Sequence, residues 1–211
     1  MTPKQNPNRD LADYLHRRLK YLEQCYAEIE SKFSEDKADV CRKIDRGIYN
    51  RRDPAIGKII FHIEYVVANT FRYTMLVGGC SFLEEAIKEI TKRLIPDYDA
   101  RIKDIERGNW LHKHIQLLSD SADLQTVSLR SDLDRFHDFI TLRNCIVHAW
   151  GKVREARDPA AVKAASQRID TAEVSKDGFL VLGNQVIPEA IISGENIVES
   201  ILTSELDVSM T

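Results

Sequence analysis

The stretch SDLDRFHDFITLRNCIVHAWG, residues 131–151, indicates more than any other how this chain folds. On a helical wheel of about 100° per residue, its apolar side chains fill an arc of about 180°, which predicts one helix with a broad buried face. Arg143 falls inside that arc, and Asn144 and His148 lie along one edge of it. Because an unpaired buried charge is very costly, Arg143 is expected to meet an acid, a ligand phosphate or a partner subunit.

Ordinary interpretations of these side chains stay open beside a functional one. Arg143 could pair with a carboxylate on a neighbouring helix, and His148 could be a core-edge histidine bonded to a carbonyl group. His137 and Thr141 fall beside Asn144 and His148 on the wheel, so they are possible supporting residues of the same polar stripe. The combination of an arginine within the apolar arc and a polar stripe along its edge favours a site.

The string Arg143-Asn144-x3-His148, near the end of a mostly apolar helix, resembles the R-x4-6-H motif of HEPN domains. The resemblance extends over about residues 60–150 and identifies no subfamily. It implies a small all-helical domain whose active members are metal-independent endoribonucleases, many of which act as toxins or in defence against phage. Other members have lost catalysis and only bind. The resemblance therefore implies either an enzyme or a silent binding module.

The residue types of the motif suit the cleavage of RNA, which carries its own nucleophile in the 2′-OH beside the scissile phosphate. Histidine titrates near neutral pH, so His148 can both remove and donate protons. Arg143 is always charged, and its planar fork matches phosphate oxygens. Asn144, one turn before His148, can hydrogen-bond the phosphate or orient the imidazole. This chemistry needs no metal and no cofactor, and the family implies 2′,3′-cyclic phosphate and 5′-hydroxyl products.

One chain supplies a single arginine and a single histidine of this motif, and about 140° of helix rotation separates them. In HEPN proteins, two protomers pack around a two-fold axis, and their paired motifs form one cleft. The broad apolar arc of residues 131–151 is compatible with burial both by its own domain and by a second copy. A homodimer with a composite site is expected, and the alternative is a monomer whose other helices cover the arc.

A carboxylate partner for Arg143 is expected on the stretch VGGCSFLEEAIKEITKRL, residues 77–94, which looks like the second core helix of many HEPN-like proteins. Glu84 and Glu85 are the candidates, and Glu64 is a third. The alternative is that both glutamates of the stretch are solvated beside lysines of the same helix. The pairing of Arg143 therefore stays open.

Basic side chains surround the helix boundary that is predicted at Pro54, and few acidic side chains accompany them: Arg42, Lys43, Arg46, Arg51, Arg52 and Lys58. Arg51 and Arg52 are the possible contacts to an RNA backbone beside the cleft. Charge clusters at helix ends are usually just solvated, which is the alternative.

Composition excludes several classes of protein. The formal net charge of −3 is not that of a polybasic nucleic-acid coat, although it allows an enzyme with a local site. The N-terminus lacks the apolar core of a signal peptide, and no apolar run approaches the roughly 20 residues of a membrane span. The four cysteines lack CxxC spacing, and the histidines are scattered. These features predict a cytoplasmic protein with reduced thiols, no metal site and no membrane partner.

Apolar periodicity predicts the all-α class, as an HEPN-like helical bundle with a long N-terminal helical segment and a small β-hairpin near the C-terminus. Residues 1–53 are predicted to be an N-terminal helical extension packed on the core, made of two helices that meet near residue 34. Residues 54–211 are predicted to be the HEPN-like helical domain with a C-terminal hairpin and helix.

Local signals set the expected boundaries within these parts. Asp53 should cap a helix with Pro54 in its first turn, and this helix should kink or break at Gly78-Gly79 and resume under a capping box. A continuous helix is expected over about residues 98–118, followed by a loop over 119–129. The hairpin strands are expected at 179–182 and 185–187, around Gly183-Asn184, with a last helix from Pro188.

Two functions from different classes are consistent with these patterns. The first is a metal-independent endoribonuclease of HEPN type, a toxin or phage-defence effector that cleaves RNA by 2′-OH attack and has an antitoxin protein as a possible partner. The second is a catalytically silent dimeric helical module that binds a nucleotide, RNA or a partner protein. The presence of both Arg143 and His148 favours the enzyme, because a silent module has no chemical need for both.

Overall fold

A computed structural model describes residues 7–105, 109–122 and 126–208 of the chain. Helices account for most of this described part, and the all-α fold class is confirmed. The elements are, in chain order, α1 (Pro7–Asp45), α2 (Pro54–Phe61), a π-helical segment (His62–Ala68), α3 (Asn69–Leu94), α4 (Tyr98–Asp104), α5 (Trp110–Ala122), α6 (Thr126–Ala149), a short 3₁₀ turn (Val153–Glu155), α7 (Pro159–Arg168), the strands β1 (Ala172–Val174) and β2 (Leu180–Leu182), and α8 (Val186–Val208).

Helix α1 is continuous, so the predicted division of the N-terminal segment near residue 34 is wrong. No proline or glycine falls in the helix after Pro7, and nothing else in its sequence removes the helical hydrogen bonds. Beyond the helix, Gly47 adopts a φ of 71°, a left-handed conformation that glycine tolerates without steric cost. The predicted cap of α2 is confirmed, since the Asp53 carboxylate accepts a hydrogen bond of 2.8 Å from the Ala55 amide.

The predicted break at Gly78-Gly79 is wrong, because both glycines lie inside α3. A glycine lowers helix stability by only about 1 kcal/mol relative to alanine, and the buried side chains of Leu76 and Leu83 on either side of the pair stabilise a continuous helix. The predicted capping box of Ser81 and Glu84 is therefore absent from this continuous helix. The irregularity lies earlier, in the π-helical segment His62–Ala68.

Two further boundaries differ from the prediction. The helix expected over residues 98–118 is divided, because Ile105 has an extended backbone that ends α4 before α5 begins. The loop expected over 119–129 is largely helical, since α5 continues to Ala122 and α6 begins at Thr126, and residues 123–125 lie outside the described part. None of the helices in the described ranges has the length and apolarity needed to span a membrane.

The chain divides into two compact units, and each combines segments from both sides of residue 53. The first unit contains residues 1–20, 79–137 and 190–211. Gly194 of α8 lies against Leu83 so closely that a Cβ at this position would overlap that side chain. The core of this unit consists of large apolar side chains, among them Leu15, Leu19, Ile87, Ile90, Leu118, Phe136, Ile197 and Ile201.

The second unit contains residues 21–78 and 138–189, and it includes the hairpin. Strands β1 and β2 pair in antiparallel fashion, with Glu173 opposite Val181. A hairpin is confirmed, but its predicted register is wrong: the turn contains Gly178, with a φ of 81°, and the residues expected as its second strand belong largely to the start of α8. The signal for the actual turn is Asp177-Gly178, a common hairpin dipeptide.

Polar side chains of α3 stabilise the hairpin, which would be unstable alone. The Asn69 amide accepts a hydrogen bond from the Leu182 amide at 2.9 Å and donates one to the Leu180 carbonyl at 3.3 Å. Tyr73 donates its hydroxyl hydrogen to the same Leu180 carbonyl, and Arg72 donates to the Leu182 carbonyl at 2.8 Å. Strand β2 is thus fixed to α3 through its backbone.

Candidate active site

The C-terminal part of α6 carries the motif, and one side of it is buried. Phe139, Leu142 and Cys145 are buried in the second unit, whereas Arg143 is half-buried and Asn144 is exposed. The helical wheel also places Val147 and Trp150 in the buried arc, but these side chains are exposed by 42% and 83%. The small side chains of Cys145 and Ala149 occupy the buried positions instead. The buried face is therefore rotated from the one that apolarity alone predicts.

The guanidinium of Arg143 and the amide of Asn144 are joined directly. Arg143 Nη1 donates a hydrogen bond of 3.0 Å to Asn144 Oδ1. This bond places Nη1 of the half-buried Arg143 beside the exposed Asn144 and leaves the amide NH₂ of Asn144 as a donor toward solvent. The two side chains therefore present N–H donors side by side, which is the arrangement that binds phosphate or carboxylate oxygens.

His148 lies one turn further on and is exposed. Its imidazole makes no hydrogen bond or ion pair with any residue in the described ranges, so it differs from the core-edge histidine of the alternative interpretation. Both ring nitrogens are accessible to a ligand from solvent.

The backbone directly after His148 has a special conformation. Trp150 and Gly151 have φ angles of 53° and 76°, so two successive residues are left-handed. Hydrogen bonds from the Gly151 amide to the Cys145 carbonyl (3.2 Å) and from the Lys152 amide to the Ala149 carbonyl (2.8 Å) close the helix end. A Cβ on Gly151 would overlap the Tyr73 ring, so glycine is needed there for both conformation and space.

The supporting residues predicted from sequence are divided between the two units. Thr141 is half-buried in the second unit, whereas His137 is exposed and belongs to the first. Glu84 and Glu85 are also in the first unit, and Glu85 accepts a hydrogen bond from Lys88 at 3.1 Å, as the solvated alternative expects. A carboxylate partner for Arg143 stays a prediction.

The third candidate carboxylate and the basic cluster have surroundings of their own in the second unit. Glu64 pairs with Lys37 at 2.9 Å. Arg51 and Arg52 are exposed in the turn between α1 and α2, where the Arg52 amide donates to the Asn50 side chain at 3.0 Å. Their exposure is consistent both with solvation and with contact to an RNA backbone.

The second unit contains a buried ion pair that the sequence does not predict. Arg72 donates from Nε and Nη2 to the two carboxylate oxygens of Glu30, each at 2.7 Å. Tyr26 lies beside this pair, its hydroxyl donates to the Asn184 carbonyl at 2.9 Å, and burial raises its pKa. Burial also raises the pKa of Tyr73 to about 12. No local signal connects Glu30 with Arg72, because they are far apart in sequence.

A second ion pair fixes the start of the motif segment. The buried carboxylate of Asp138 accepts hydrogen bonds from Nε and Nη2 of Arg168 on α7, at 2.8 and 2.5 Å. The bidentate geometry orients α6 relative to α7 within the second unit. Asp138 adjoins His137 in sequence, but it cannot be recognised there, since an isolated aspartate on a helix carries no pattern.

The cysteines do not form a reactive group. Cys25 and Cys41 are exposed, Cys80 and Cys145 are buried, and all four are free thiols. Burial raises the pKa of the Cys145 thiol, which disfavours the thiolate that a nucleophile needs and is typical of a packing residue. Across the described ranges, no three His, Cys, Asp or Glu side chains are grouped as metal ligands would be.

No protein-family model, curated protein or solved structure matches the chain. The resemblance to HEPN domains therefore depends on the motif and its place at the end of a helix. In chemical terms, the site offers one accessible imidazole and two adjacent N–H donor groups, from Arg143 and Asn144, at the protein surface. Such a set can hold an anion and move a proton beside it.

Proposed function

We propose that the protein is a metal-independent endoribonuclease of HEPN type, which acts as a toxin or phage-defence effector in the cytoplasm. The observation that supports this best is the placement of an exposed His148 one turn after the hydrogen-bonded pair of Arg143 and Asn144. A histidine kept for packing would be buried or bonded. Here it is accessible beside donors suited to a phosphate.

The reaction follows from these groups and from RNA itself. The imidazole of His148 takes the proton of the 2′-OH, and the 2′-oxygen attacks phosphorus. A P–O2′ bond forms as the P–O5′ bond breaks, and an imidazolium returns a proton to the departing 5′-oxygen. Arg143 and the Asn144 amide bind the non-bridging oxygens, where negative charge increases in the transition state. The products are a 2′,3′-cyclic phosphate and a 5′-hydroxyl.

A homodimer would complete this site. About 140° of helix rotation separates Arg143 from His148, so one copy does not direct both side chains to the same point. Two copies related by a two-fold axis would supply two histidines, one as base and one as acid. The exposed Val147 lies on the same turn as His148 and offers apolar surface for such an interface.

A catalytically silent dimeric module that binds a nucleotide, RNA or a partner protein is the second candidate. It is favoured by the bond between Arg143 and Asn144, which gives the arginine a structural role, and by the net charge of −3. An antitoxin protein is the partner expected for an active toxin, and it would protect the host from cleavage. The two candidates differ in whether His148 is needed for a chemical step.

The deciding experiment is incubation of the purified protein with total RNA in EDTA, with His148→Ala and Arg143→Ala in parallel. His112→Ala is the matched control, because His112 is an exposed histidine on α5. We expect cleavage with cyclic-phosphate ends by the wild type and the control only. Equal inertness of all four proteins over a range of RNAs would favour the silent module.

Two further measurements test the remaining parts of the proposal. Induction of the wild-type protein without an antitoxin should slow growth, and His148→Ala should relieve the effect. Light scattering at micromolar concentration should give the mass of two chains. A monomeric mass together with full activity would contradict the composite site and leave the ribonuclease itself intact.

A further inference from the structure

Trp150 is the most exposed large apolar side chain in the described part of the molecule, at 83%. Large aromatic side chains are usually buried for most of their surface. The second tryptophan of the chain, Trp110, is half-buried and lies edge-on to His114. The indole of Trp150 therefore faces solvent, and burial in a core does not explain an indole at this position.

The backbone of Trp150 is held in a conformation that suits other residues better. Its φ of 53° is left-handed, which is rare for a bulky side chain and persists only where the surroundings impose it. Those surroundings are hydrogen bonds on both sides: the Trp150 amide donates to the Ile146 carbonyl at 3.0 Å, and the Leu180 amide donates to the Gly151 carbonyl at 2.8 Å. The indole is therefore attached to a fixed backbone.

The position of Trp150 relates it to the proposed chemistry. Two peptide units separate it from His148, so their Cα atoms are at most about 7.6 Å apart. A nucleotide whose phosphate lies against Asn144 and His148, which share one face of the helix, has its base within reach of side chains at this end of α6. Aromatic rings on rigid supports bind single-stranded nucleic acid by stacking, because every base has a π-face.

We propose that Trp150 is a base-stacking platform that holds an unpaired nucleobase of RNA beside the phosphate bound at the motif. The inference rests on the proposed function for the identity of the ligand as RNA. It goes further in requiring a single-stranded, unstacked substrate and little discrimination among bases. Two adjoining elements make the platform: the left-handed Trp150 and the Gly151 that packs against Tyr73.

The test uses the fluorescence of Trp150 itself. Trp110→Phe leaves Trp150 as the only tryptophan, and the probe is a short single-stranded 2′-O-methyl RNA, which lacks the nucleophile and is not cleaved. We expect quenching of the emission on binding. An oligonucleotide of the same length with abasic sites, which keeps the phosphates and loses the bases, should quench little.

Affinity measured by an end label on the oligonucleotide completes the test. Trp150→Ala should weaken binding on the order of ten-fold or more, and Trp150→Phe, which keeps a stacking ring, should weaken it much less. The abasic oligonucleotide should bind both variants and the wild type equally. Equal affinity of wild type and Trp150→Ala for the intact oligonucleotide would overturn the stacking role.

The outcomes separate this inference from the proposed function. Base-dependent quenching without any RNA cleavage would support the platform and contradict the enzyme. Cleavage that survives in Trp150→Ala, with no quenching in the single-tryptophan protein, would contradict the platform and leave the enzyme. A loss of dimer mass in Trp150→Ala with unchanged affinity per chain would overturn the inference, because the indole would then be a contact between copies of the chain.

Discussion

Two histidines on helices of this protein, His114 and His148, have opposite surroundings. His114 is 6% exposed in the first unit, and both of its ring nitrogens are bonded. Nδ1 donates to the Trp110 carbonyl at 2.6 Å, so Nε2 of the neutral ring accepts from the Tyr98 hydroxyl at 2.8 Å. His148 is exposed and, within the described ranges, makes no such bonds. One ring is fixed in a single tautomer, and the other is available to a ligand.

The difference separates a structural imidazole from the one to which the proposed function assigns proton transfer. Burial lowers the pKa of His114, and the positive charge of Lys88 lowers it further, so this ring stays neutral at pH 7. A neutral, doubly bonded imidazole acts as a connector between α4 and α5. An imidazole that must exchange protons with a substrate needs an open position, as at His148.

The largest expected effect is on activity at His148. His148→Ala should reduce RNA cleavage at least about 100-fold, because it removes the group that moves protons. Its free energy of unfolding should change by less than about 0.5 kcal/mol, since the side chain is exposed. Rates of cleavage and urea melts on the same preparations check both. A stability loss as large as the activity loss would show that His148 is structural.

The complementary substitution, His114→Ala, should have the opposite pattern, with a large loss of stability and no loss of activity. Loss of the buried ring and an unpaired Tyr98 hydroxyl should cost about 3 kcal/mol of unfolding free energy, with the cleavage rate of the folded protein unchanged. His112→Ala, two residues away on α5 and exposed, is the matched control and should cost little. Equal midpoints in urea for the two variants would contradict the structural role of His114.

Protonation of His114 should also make the free energy of unfolding depend on pH. Its folded-state pKa is lower than the unfolded value of about 6.5, so the folded protein binds fewer protons in this range. Its contribution to stability is complete above pH 6.5 and decreases as the pH falls below it, by at most about 1.4 kcal/mol per pH unit. His114→Phe, although less stable, should lose less between pH 7 and 5. Parallel curves of unfolding free energy against pH for the wild type and His114→Phe would contradict a contribution from His114.

A smaller effect is expected where the helix of His148 ends. Trp150→Gly should raise the unfolding free energy by about 1 kcal/mol, because glycine adopts the left-handed conformation without the steric cost of an L side chain. Trp150→Ala keeps that cost and serves as the control. Thermal melts compare the three proteins. A less stable Trp150→Gly would mean that the indole contributes packing that outweighs its backbone strain.

The features that can be predicted from the sequence are those that depend on neighbouring residues. Asp53 and Pro54 form their cap because both act within one turn, and the polar edge of α6 follows from helical spacing. The predicted position of the hairpin is wrong because Gly183-Asn184 resembles a turn as much as Asp177-Gly178 does. The bonds from Asn69, Tyr73 and Arg72 to β2 join distant parts of the chain, so the local sequence does not reveal them.

The candidate site is predictable in its residue types but not in its surroundings. Arg143, Asn144 and His148 follow from the motif, whereas the bond between the first two depends on side-chain conformation. The helical wheel assigns Trp150 to the core because it counts an indole as apolar. The exposure of Trp150 results from the left-handed helix end, which is fixed by the packing of Gly151 against Tyr73 and by its bond to β2.

The smallest expected effect concerns the basic turn, where Arg51 and Arg52 are exposed. If Arg51 and Arg52 bind an RNA backbone, Arg51→Gln combined with Arg52→Gln should reduce the salt dependence of RNA affinity by about 0.7 in log–log slope for each phosphate that is no longer neutralised. Arg17→Gln with Arg18→Gln is the matched control, because this exposed pair lies on α1 within the first unit. Identical slopes for both double variants and the wild type would assign Arg51 and Arg52 to solvent, and would confine RNA recognition to groups nearer His148.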